Sequence, residues 1–242
     1  MRTLSNADFL SLWENGRRLH SLDRGLLAVR ASLSEPAEEN VADWPLGRRN
    51  QALAELHGSY FGSRLQGWTK CGQCGEKLEF GLDCRSLIER QRERSADPVL
   101  EPIVVKGWSF RVPTSRDLAR VAGESDVDAA ALRLLECCRI EGGADADVAM
   151  AWSREELEQL GEKMIAADPL AEILLSFECP ACKAAREQAL DLPAFLWAEL
   201  EAFAKRMLYE IHLLASAYGW SEREILSLSD SRRATYLEMV QA

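Results

Sequence analysis

Two short cysteine motifs that lie far apart in the chain constrain its fold more than any other feature. Cys71 and Cys74 form one C-x-x-C pair, and Cys179 and Cys182 form a second pair more than a hundred residues later. This spacing lets two thiolates bind one metal ion from a tight turn. After each pair, a glutamate, a leucine and an aspartate follow at offsets of five, eight and nine residues. The repeat predicts one four-cysteine zinc ribbon, with Zn²⁺ as a structural cofactor.

The energetics permit a metal site built from such distant motifs. Closing a loop of roughly a hundred residues costs about 4 kcal/mol, whereas a structural zinc site contributes about 10–16 kcal/mol in small peptides. Two other interpretations are a redox dithiol and a pair of disulfides. A thioredoxin-like dithiol requires a βαβ setting, which neither pair has. Disulfides require an oxidising compartment, and residues 1–8 lack the apolar core of a signal peptide. These considerations favour zinc.

Charge and hydropathy exclude several classes of partner. The 242 residues carry a net charge of -10, and the pI is about 5.0. Broad binding to a phosphate backbone requires a basic surface, so we expect no nucleic-acid partner. No apolar run approaches the roughly 18 residues of a membrane span. We therefore expect a cytoplasmic protein with no membrane partner.

Periodicity predicts an α+β fold that is mainly α-helical, with a small antiparallel zinc-ribbon sheet assembled from the two C-x-x-C knuckles. We expect the metal to join the segments into one compact unit. The segments are an N-terminal helical region (1–66), the first knuckle and its strands (67–112), a helical insertion (113–175), the second knuckle and strand (176–192), and a long helix with a short helical pair (193–242).

Local signals sharpen this outline. Asn6 is expected to cap the first helix, and Ser221 with Glu224 forms a capping box. Residues 103–112 read as one strand that pairs with the knuckle strands. Asp168-Pro169 is expected to start a short helix ending at Leu175. Other expectations are a loop at Gly142-Gly143 and one long apolar stripe from Pro193 to Gly219.

The remaining candidates for chemistry are scattered. A free cysteine is usually a small buried apolar residue, and a lone histidine on a helix usually packs. No catalytic triad order, phosphate-binding glycine loop or H-E-x-x-H pattern is present. A zinc site with four protein ligands has no open position for substrate. We therefore expect a non-enzymatic protein, in which these residues have packing roles: Cys84, Cys137, Cys138, His20, His57 and His212.

Many short motifs occur in a recognisable order. They are Leu12-Trp13-Glu14, Leu22-Asp23-Arg24, Pro45-Leu46-Gly47-Arg48-Arg49, Cys74-Gly75-Glu76 with Leu78-Glu79-Phe80, Pro113 to Leu118, Asp168-Pro169, Cys179 to Cys182, His212 to Ala215, Tyr218 to Glu222, Glu224-Ile225-Leu226, and Arg232-Arg233 with Tyr236-Leu237. Together they resemble the baseplate hub subunit and assembly-chaperone proteins of contractile phage tails and related contractile injection systems. The resemblance implies a non-enzymatic assembly role, with baseplate, hub, spike or tape-measure proteins as partners.

The C-terminal region is the predicted docking site. Trp220, Arg232, Arg233 and Tyr236 combine aromatic rings with adjacent arginines, and arginine is enriched in interfaces. For Trp220, packing inside the protein is the competing interpretation. A different class of function also stays open, since the short helices near Ser221 and Asp230 suit a helix-turn-helix regulator that binds DNA. Few basic residues occur there, which disfavours that alternative.

Overall fold

The computed structural model describes residues 2–34, 40–94, 101–140 and 152–241, so the predicted loop at Gly142-Gly143 lies outside the described residues. The fold is mixed α+β and mostly helical, with small antiparallel sheets, which confirms the predicted class. None of the described helices is both long and apolar enough to cross a membrane.

The elements follow one another in this order: α1 (Asn6–Gly16), α2 (Ser21–Ser32), a 3₁₀ turn (Val41–Asp43), α3 (Leu46–Tyr60), β1 (Arg64–Lys70), β2 (Lys77–Asp83), α4 (Cys84–Arg94), β3 (Ile103–Val105), β4 (Trp108–Phe110), α5 (Ser115–Val121), α6 (Val127–Cys138), α7 (Arg154–Ala167), β5 (Leu174–Glu178), β6 (Ala185–Ala189), α8 (Leu192–Tyr218), α9 (Glu222–Ser227) and α10 (Asp230–Gln241). They form two compact units. Unit 1 comprises Met1–Glu35 with Ala194–Ala242, and unit 2 comprises Pro36–Pro193. This boundary cuts the predicted first segment, 1–66, because α3 belongs to unit 2.

Unit 1 is a helical assembly built around the long helix α8. The predicted apolar stripe is present, and its buried members pack with Leu10 of α1 and Ile225 of α9. Ser5 caps α1 in place of Asn6, because its hydroxyl accepts the Asp8 N–H while the Asp8 carboxylate accepts the Ser5 N–H. The Asn6 side chain instead donates to Asp230 Oδ1 of α10, at 3.3 Å.

Unit 2 contains three separate antiparallel hairpins, β1–β2, β3–β4 and β5–β6. The expected single sheet is therefore wrong, as is the expected strand over 103–112. That stretch turns back on itself at Lys106 and Gly107, both of which have positive φ (53° and 79°). The resulting β3–β4 hairpin packs with α6 and α7 in a cluster of its own, which contains Phe110, Leu135 and Leu160. Its apolar side chains are thus covered without the knuckle strands.

The helix expected at Asp168-Pro169 is also absent. Helix α7 ends at Ala167, and the chain makes a turn before Leu174 begins strand β5. The Asp168 carboxylate is fully buried and accepts two hydrogen bonds, from Gly47 N–H at 2.8 Å and Gln91 Nε2 at 2.9 Å. Burial raises the pKa of Asp168, although both hydrogen bonds oppose the rise. Asp168 therefore anchors a tertiary contact.

A buried polar network around Asp168 holds the α7–β5 turn against α3. Asn50 Nδ2 donates to Leu170 O at 2.7 Å, and Leu170 N–H donates to Gln91 Oε1 at 3.2 Å. Arg49 donates to Ser115 Oγ at 3.0 Å, and burial lowers the pKa of its guanidinium to about 10. Buried polar groups stabilise a fold only when they are hydrogen-bonded, as they are here.

The contact between Gly47 and Asp168 leaves no room for a methyl group. A Cβ at position 47 would lie 1.9 Å from Asp168 Oδ1, whereas a Cβ at Gly161 in α7 would meet nothing within 4 Å. We expect Gly47→Ala to lower the free energy of unfolding by about 2 kcal/mol or more, through overpacking. Gly161→Ala, the matched control, should raise it by about 0.5–1 kcal/mol, because alanine favours the helix. Urea denaturation of the two variants measures both effects; equal midpoints would contradict this account.

Candidate metal centre

The first knuckle is a tight turn between β1 and β2. Cys71 N–H donates to Glu76 O at 2.7 Å, and Gly75 N–H donates to Cys71 O at 2.9 Å. Gly75 adopts φ +78°, a left-handed conformation that glycine reaches without steric cost. These bonds place both cysteine side chains of the motif at the end of the hairpin.

The second knuckle, between β5 and β6, repeats the same hydrogen bonds. Cys179 N–H donates to Ala184 O at 3.0 Å, and Lys183 N–H donates to Cys179 O at 2.9 Å. Lys183 occupies the position of Gly75 and also has a positive φ, 61°. The equal offsets seen in the sequence therefore correspond to two turns with the same backbone geometry.

Side chains join the two hairpins beside the knuckles. Thr69 Oγ1 donates to Gln188 Oε1 at 2.9 Å, and Arg186 Nη1 donates to Lys70 O at 2.9 Å. Phe80 and Phe177 add an edge-to-face contact with ring centroids 6.2 Å apart. Our sequence reasoning missed Thr69, Gln188 and Arg186, whose only signal was their position on strands flanking the cysteines.

The four predicted ligands meet at one point. The Cys71 and Cys182 sulfurs are 3.7 Å apart and the Cys74 and Cys179 sulfurs are 3.5 Å apart, so each close pair joins the two knuckles. All four sulfurs lie within 4.8 Å of one another. A tetrahedron with Zn–S bonds of about 2.3 Å has edges of about 3.8 Å. The cluster therefore has the dimensions of a tetrahedral metal site.

The protonation of the four thiols reflects their crowding. Backbone N–H groups of Cys74 and Gln73 favour the Cys71 thiolate and lower its pKa to about 6. At Cys74 the Glu76 N–H has the same effect, but the thiols of Cys179 and Cys182 outweigh it and raise the pKa to about 12. At Cys182 the Ala184 N–H is likewise outweighed, by burial and neighbouring thiols, and the pKa is raised. A metal ion must therefore displace protons from this cluster.

The other cysteines lie outside the cluster. Cys84 and His57 are both buried, with Cys84 Sγ 3.5 Å from His57 Nδ1. Burial raises the pKa of the Cys84 thiol, which keeps it uncharged. Cys138 is fully buried in the cluster formed by the β3–β4 hairpin, α6 and α7, and Cys137 is half-buried. Their placement agrees with the packing role expected of them.

The structure gives three of the four residues predicted to bind a partner a role inside unit 1. Trp220 stacks on Tyr218, with centroids 4.7 Å apart, and meets Tyr236 edge-to-face at 4.9 Å. Arg233 is buried and forms ion pairs with Glu210 at 2.9 Å and Asp230 at 2.8 Å. Arg232 is exposed, so it is the member of the set whose side chain is open to a partner.

No protein-family model matches this chain, and it matches neither a curated protein nor a solved structure.

The adjacent arginines make a matched pair for mutagenesis. Arg233→Glu would place a carboxylate beside Glu210 and Asp230 in a buried position, so we expect it to lower the free energy of unfolding by about 3–5 kcal/mol. Arg232→Glu, on the exposed side of α10, should change it by less than about 0.5 kcal/mol. Thermal and urea unfolding followed by circular dichroism measure the difference. Similar losses for both variants would contradict the structural role of Arg233.

Metal binding should be strongly pH-dependent. The pKa values of Cys74 and Cys182 are raised, so at neutral pH both carry protons that a bound metal must displace. Displacing two protons makes the apparent zinc affinity fall about a hundredfold for each pH unit below neutrality. Competition with a zinc-binding dye at pH 6 and pH 7 measures the slope. An affinity that is unchanged between these pH values would mean that the thiols do not bind the metal.

Proposed function

We propose that the protein is a non-enzymatic assembly factor for the baseplate of a contractile tail or injection system, and that a structural zinc ion holds it together. The observation that carries the metal part of the proposal is the convergence of Cys71, Cys74, Cys179 and Cys182 to within 4.8 Å. The assembly part rests on the ordered motifs that resemble baseplate hub subunits and assembly chaperones.

Zinc suits the donor set better than other common divalent ions. Four soft thiolates in tetrahedral spacing are typical of zinc or iron–sulfur sites, whereas magnesium and calcium take oxygen ligands. Zinc bound by four thiolates carries a net charge of −2. Lys70 and Lys77 lie directly opposite each other next to the knuckle, and Arg186 contacts the Lys70 carbonyl. Like charges in facing positions repel, and an anionic centre nearby offsets that repulsion.

A structural role follows from ligand saturation and position. Four protein ligands fill a tetrahedral site, so no coordination position remains for substrate or for activated water. The two knuckles are separated by about a hundred residues of intervening chain. A bound ion therefore fastens the β1–β2 hairpin to the β5–β6 hairpin and restricts the chain between them, and its binding free energy is coupled to folding.

The motifs behind the resemblance coincide with residues on which the fold depends. Gly47 and Asp168 form the tight contact between α3 and the α7–β5 turn. Asp117 is buried, caps α5 through Thr114, and accepts two hydrogen bonds from Arg111, at 2.6 and 3.0 Å. A resemblance that rests on such positions is one of fold. It supports a shared scaffold whose surface serves assembly.

Metal content and partner capture together test this function. The wild-type chain should carry one zinc ion and capture a baseplate hub, spike or tape-measure protein when the two are produced together. Cys179→Ser should lose the metal, lower the free energy of unfolding by several kcal/mol, and capture less partner. The control is Cys137→Ser, which changes a half-buried thiol outside the cluster.

Each outcome bears on one part of the proposal. Metal-free wild-type protein of unchanged thermal stability would overturn the zinc site, and iron in its place would change the identity of the metal. A zinc-loaded chain that captures no tail protein, yet shifts a DNA duplex at low salt, would replace the assembly role with the DNA-binding alternative.

A further inference from the structure

Strand β1 has an outer edge whose backbone groups point away from β2. Cys71 N–H donates to Glu76 O at one end of the hairpin, and Cys84 N–H donates to Ser63 O at the other. Antiparallel strands alternate between residues that face their partner strand and residues that face away. Odd-numbered positions of β1 therefore bond to β2, and even-numbered positions direct their N–H and C=O groups outward. Arg186 confirms this parity, because it donates to the Lys70 carbonyl from outside the hairpin.

The same even-numbered residues place their side chains on the exposed face of the hairpin. Gln66 and Trp68 are exposed there, whereas Leu65 is buried on the opposite face. The Trp68 side chain is 57% exposed, which is high for an indole. Of the described edge positions, Lys70 has its carbonyl taken by Arg186. The stretch from Arg64 to Trp68 thus combines outward backbone groups with an exposed aromatic surface.

A shallow trough of about 530 Å³ lies on this face between Arg64 and Trp68. Gly81, which pairs with Gln66 across the strands, lies on the same face and adds no side chain. The Arg64 side chain lies over it, because a Cβ at position 81 would be 3.2 Å from Arg64 Nε. The trough therefore has a flat glycine position, a guanidinium at one end and an indole at the other.

The charges around the trough define what it can bind. Among the described residues no carboxylate forms an ion pair with Arg64, and Glu79 is paired with Lys77 at 2.8 Å. The Asp83 carboxylate, across the strand from Arg64, accepts the Arg85 N–H at 2.7 Å. A free guanidinium binds a carboxylate well, through two parallel hydrogen bonds. The indole four residues away offers a face for an apolar or aromatic side chain.

We propose that the β1 edge is a docking site for an extended acidic segment of a partner protein, which adds to the hairpin as a third strand. Its backbone pairs with Gln66 and Trp68, a carboxylate side chain binds Arg64, and an aromatic or aliphatic side chain four positions along packs on Trp68. Backbone pairing supplies the affinity of strand addition, and the side chains on the exposed face supply its specificity. The site deepens the proposed assembly function by naming a partner contact, and rests on that function only for the partner's identity.

A peptide outside any tail protein tests the site directly. The probe is a fluorescein-labelled, acetylated nine-residue strand peptide of threonines, with an aspartate and a tyrosine four positions apart. Fluorescence anisotropy with the zinc-loaded full chain should show saturable binding. Arg64→Glu should weaken binding about tenfold, since a charged hydrogen bond is lost. The same variant should prefer a peptide with lysine in place of aspartate, and Trp68→Ala should weaken both.

Position 66 separates strand addition from simple surface adhesion. Gln66→Pro removes an outward N–H without disturbing the β1–β2 ladder, because proline is tolerated at edge positions of this kind. Gln66→Ala removes the side chain alone and is the matched control. Gln66→Pro should bind the peptide about fivefold more weakly than Gln66→Ala, the loss expected for one hydrogen bond. Unchanged zinc content and circular dichroism verify that both variants are folded.

Three results would overturn the proposal. They are no saturation by the aspartate peptide up to about 1 mM, equal binding by the two position-66 variants, and binding of a labelled oligothymidylate at Trp68 in preference to the peptide. The assay uses purified chain and synthetic peptide. A failure here therefore leaves capture of tail proteins to be judged separately, and a failure of capture leaves this docking site standing.

Discussion

The meeting of the two cysteine pairs is the constraint on which unit 2 depends. Each pair sits at the tip of a two-stranded hairpin, and isolated hairpins of this size are marginally stable in water. The hairpins hold each other through two side-chain hydrogen bonds and one aromatic contact, together with four sulfurs in tetrahedral spacing. A metal ion at that point would convert two weak elements into one, because its binding free energy exceeds that of several hydrogen bonds.

A second set of interactions fastens the helices of unit 2 without metal. Asp168, Gln91 and Asn50 form a buried network that links the α7–β5 turn to α3 and α4. Strand β5 begins four residues after Leu170, whose backbone that network holds at both its N–H and its carbonyl. The network therefore positions the start of the hairpin that carries Cys179 and Cys182. The metal centre and the polar network act on the same hairpin from its two ends.

Charge is distributed by local need in this acidic chain. In unit 1, Arg233 is buried between two carboxylates, where it fastens α10 to α8. In unit 2, cations gather near the four thiols, while Arg64 at the far end of β1 has no carboxylate partner among the described residues. The net charge of -10 argues against a general nucleic-acid surface. The unpaired Arg64 next to an exposed indole instead suits one acidic segment, bound at one edge.

The sequence alone determined the metal ligands, the helical class, the long helix and several caps, because these depend on short-range spacing. A C-x-x-C turn, a capping box and a 3.6-residue apolar stripe are each complete within a few turns of chain. Only the tertiary structure decided which strands pair and which polar residues are buried. Residues 103–112 have the alternation of a single strand, yet they fold back at Lys106-Gly107 because α6 and α7 cover the hairpin that results. Asp168 resembles a helix start and Arg233 an interface residue, yet both are buried by partners far away in sequence, Gly47 and Glu210. Such roles depend on contacts between distant segments, and local residue preferences carry no record of them.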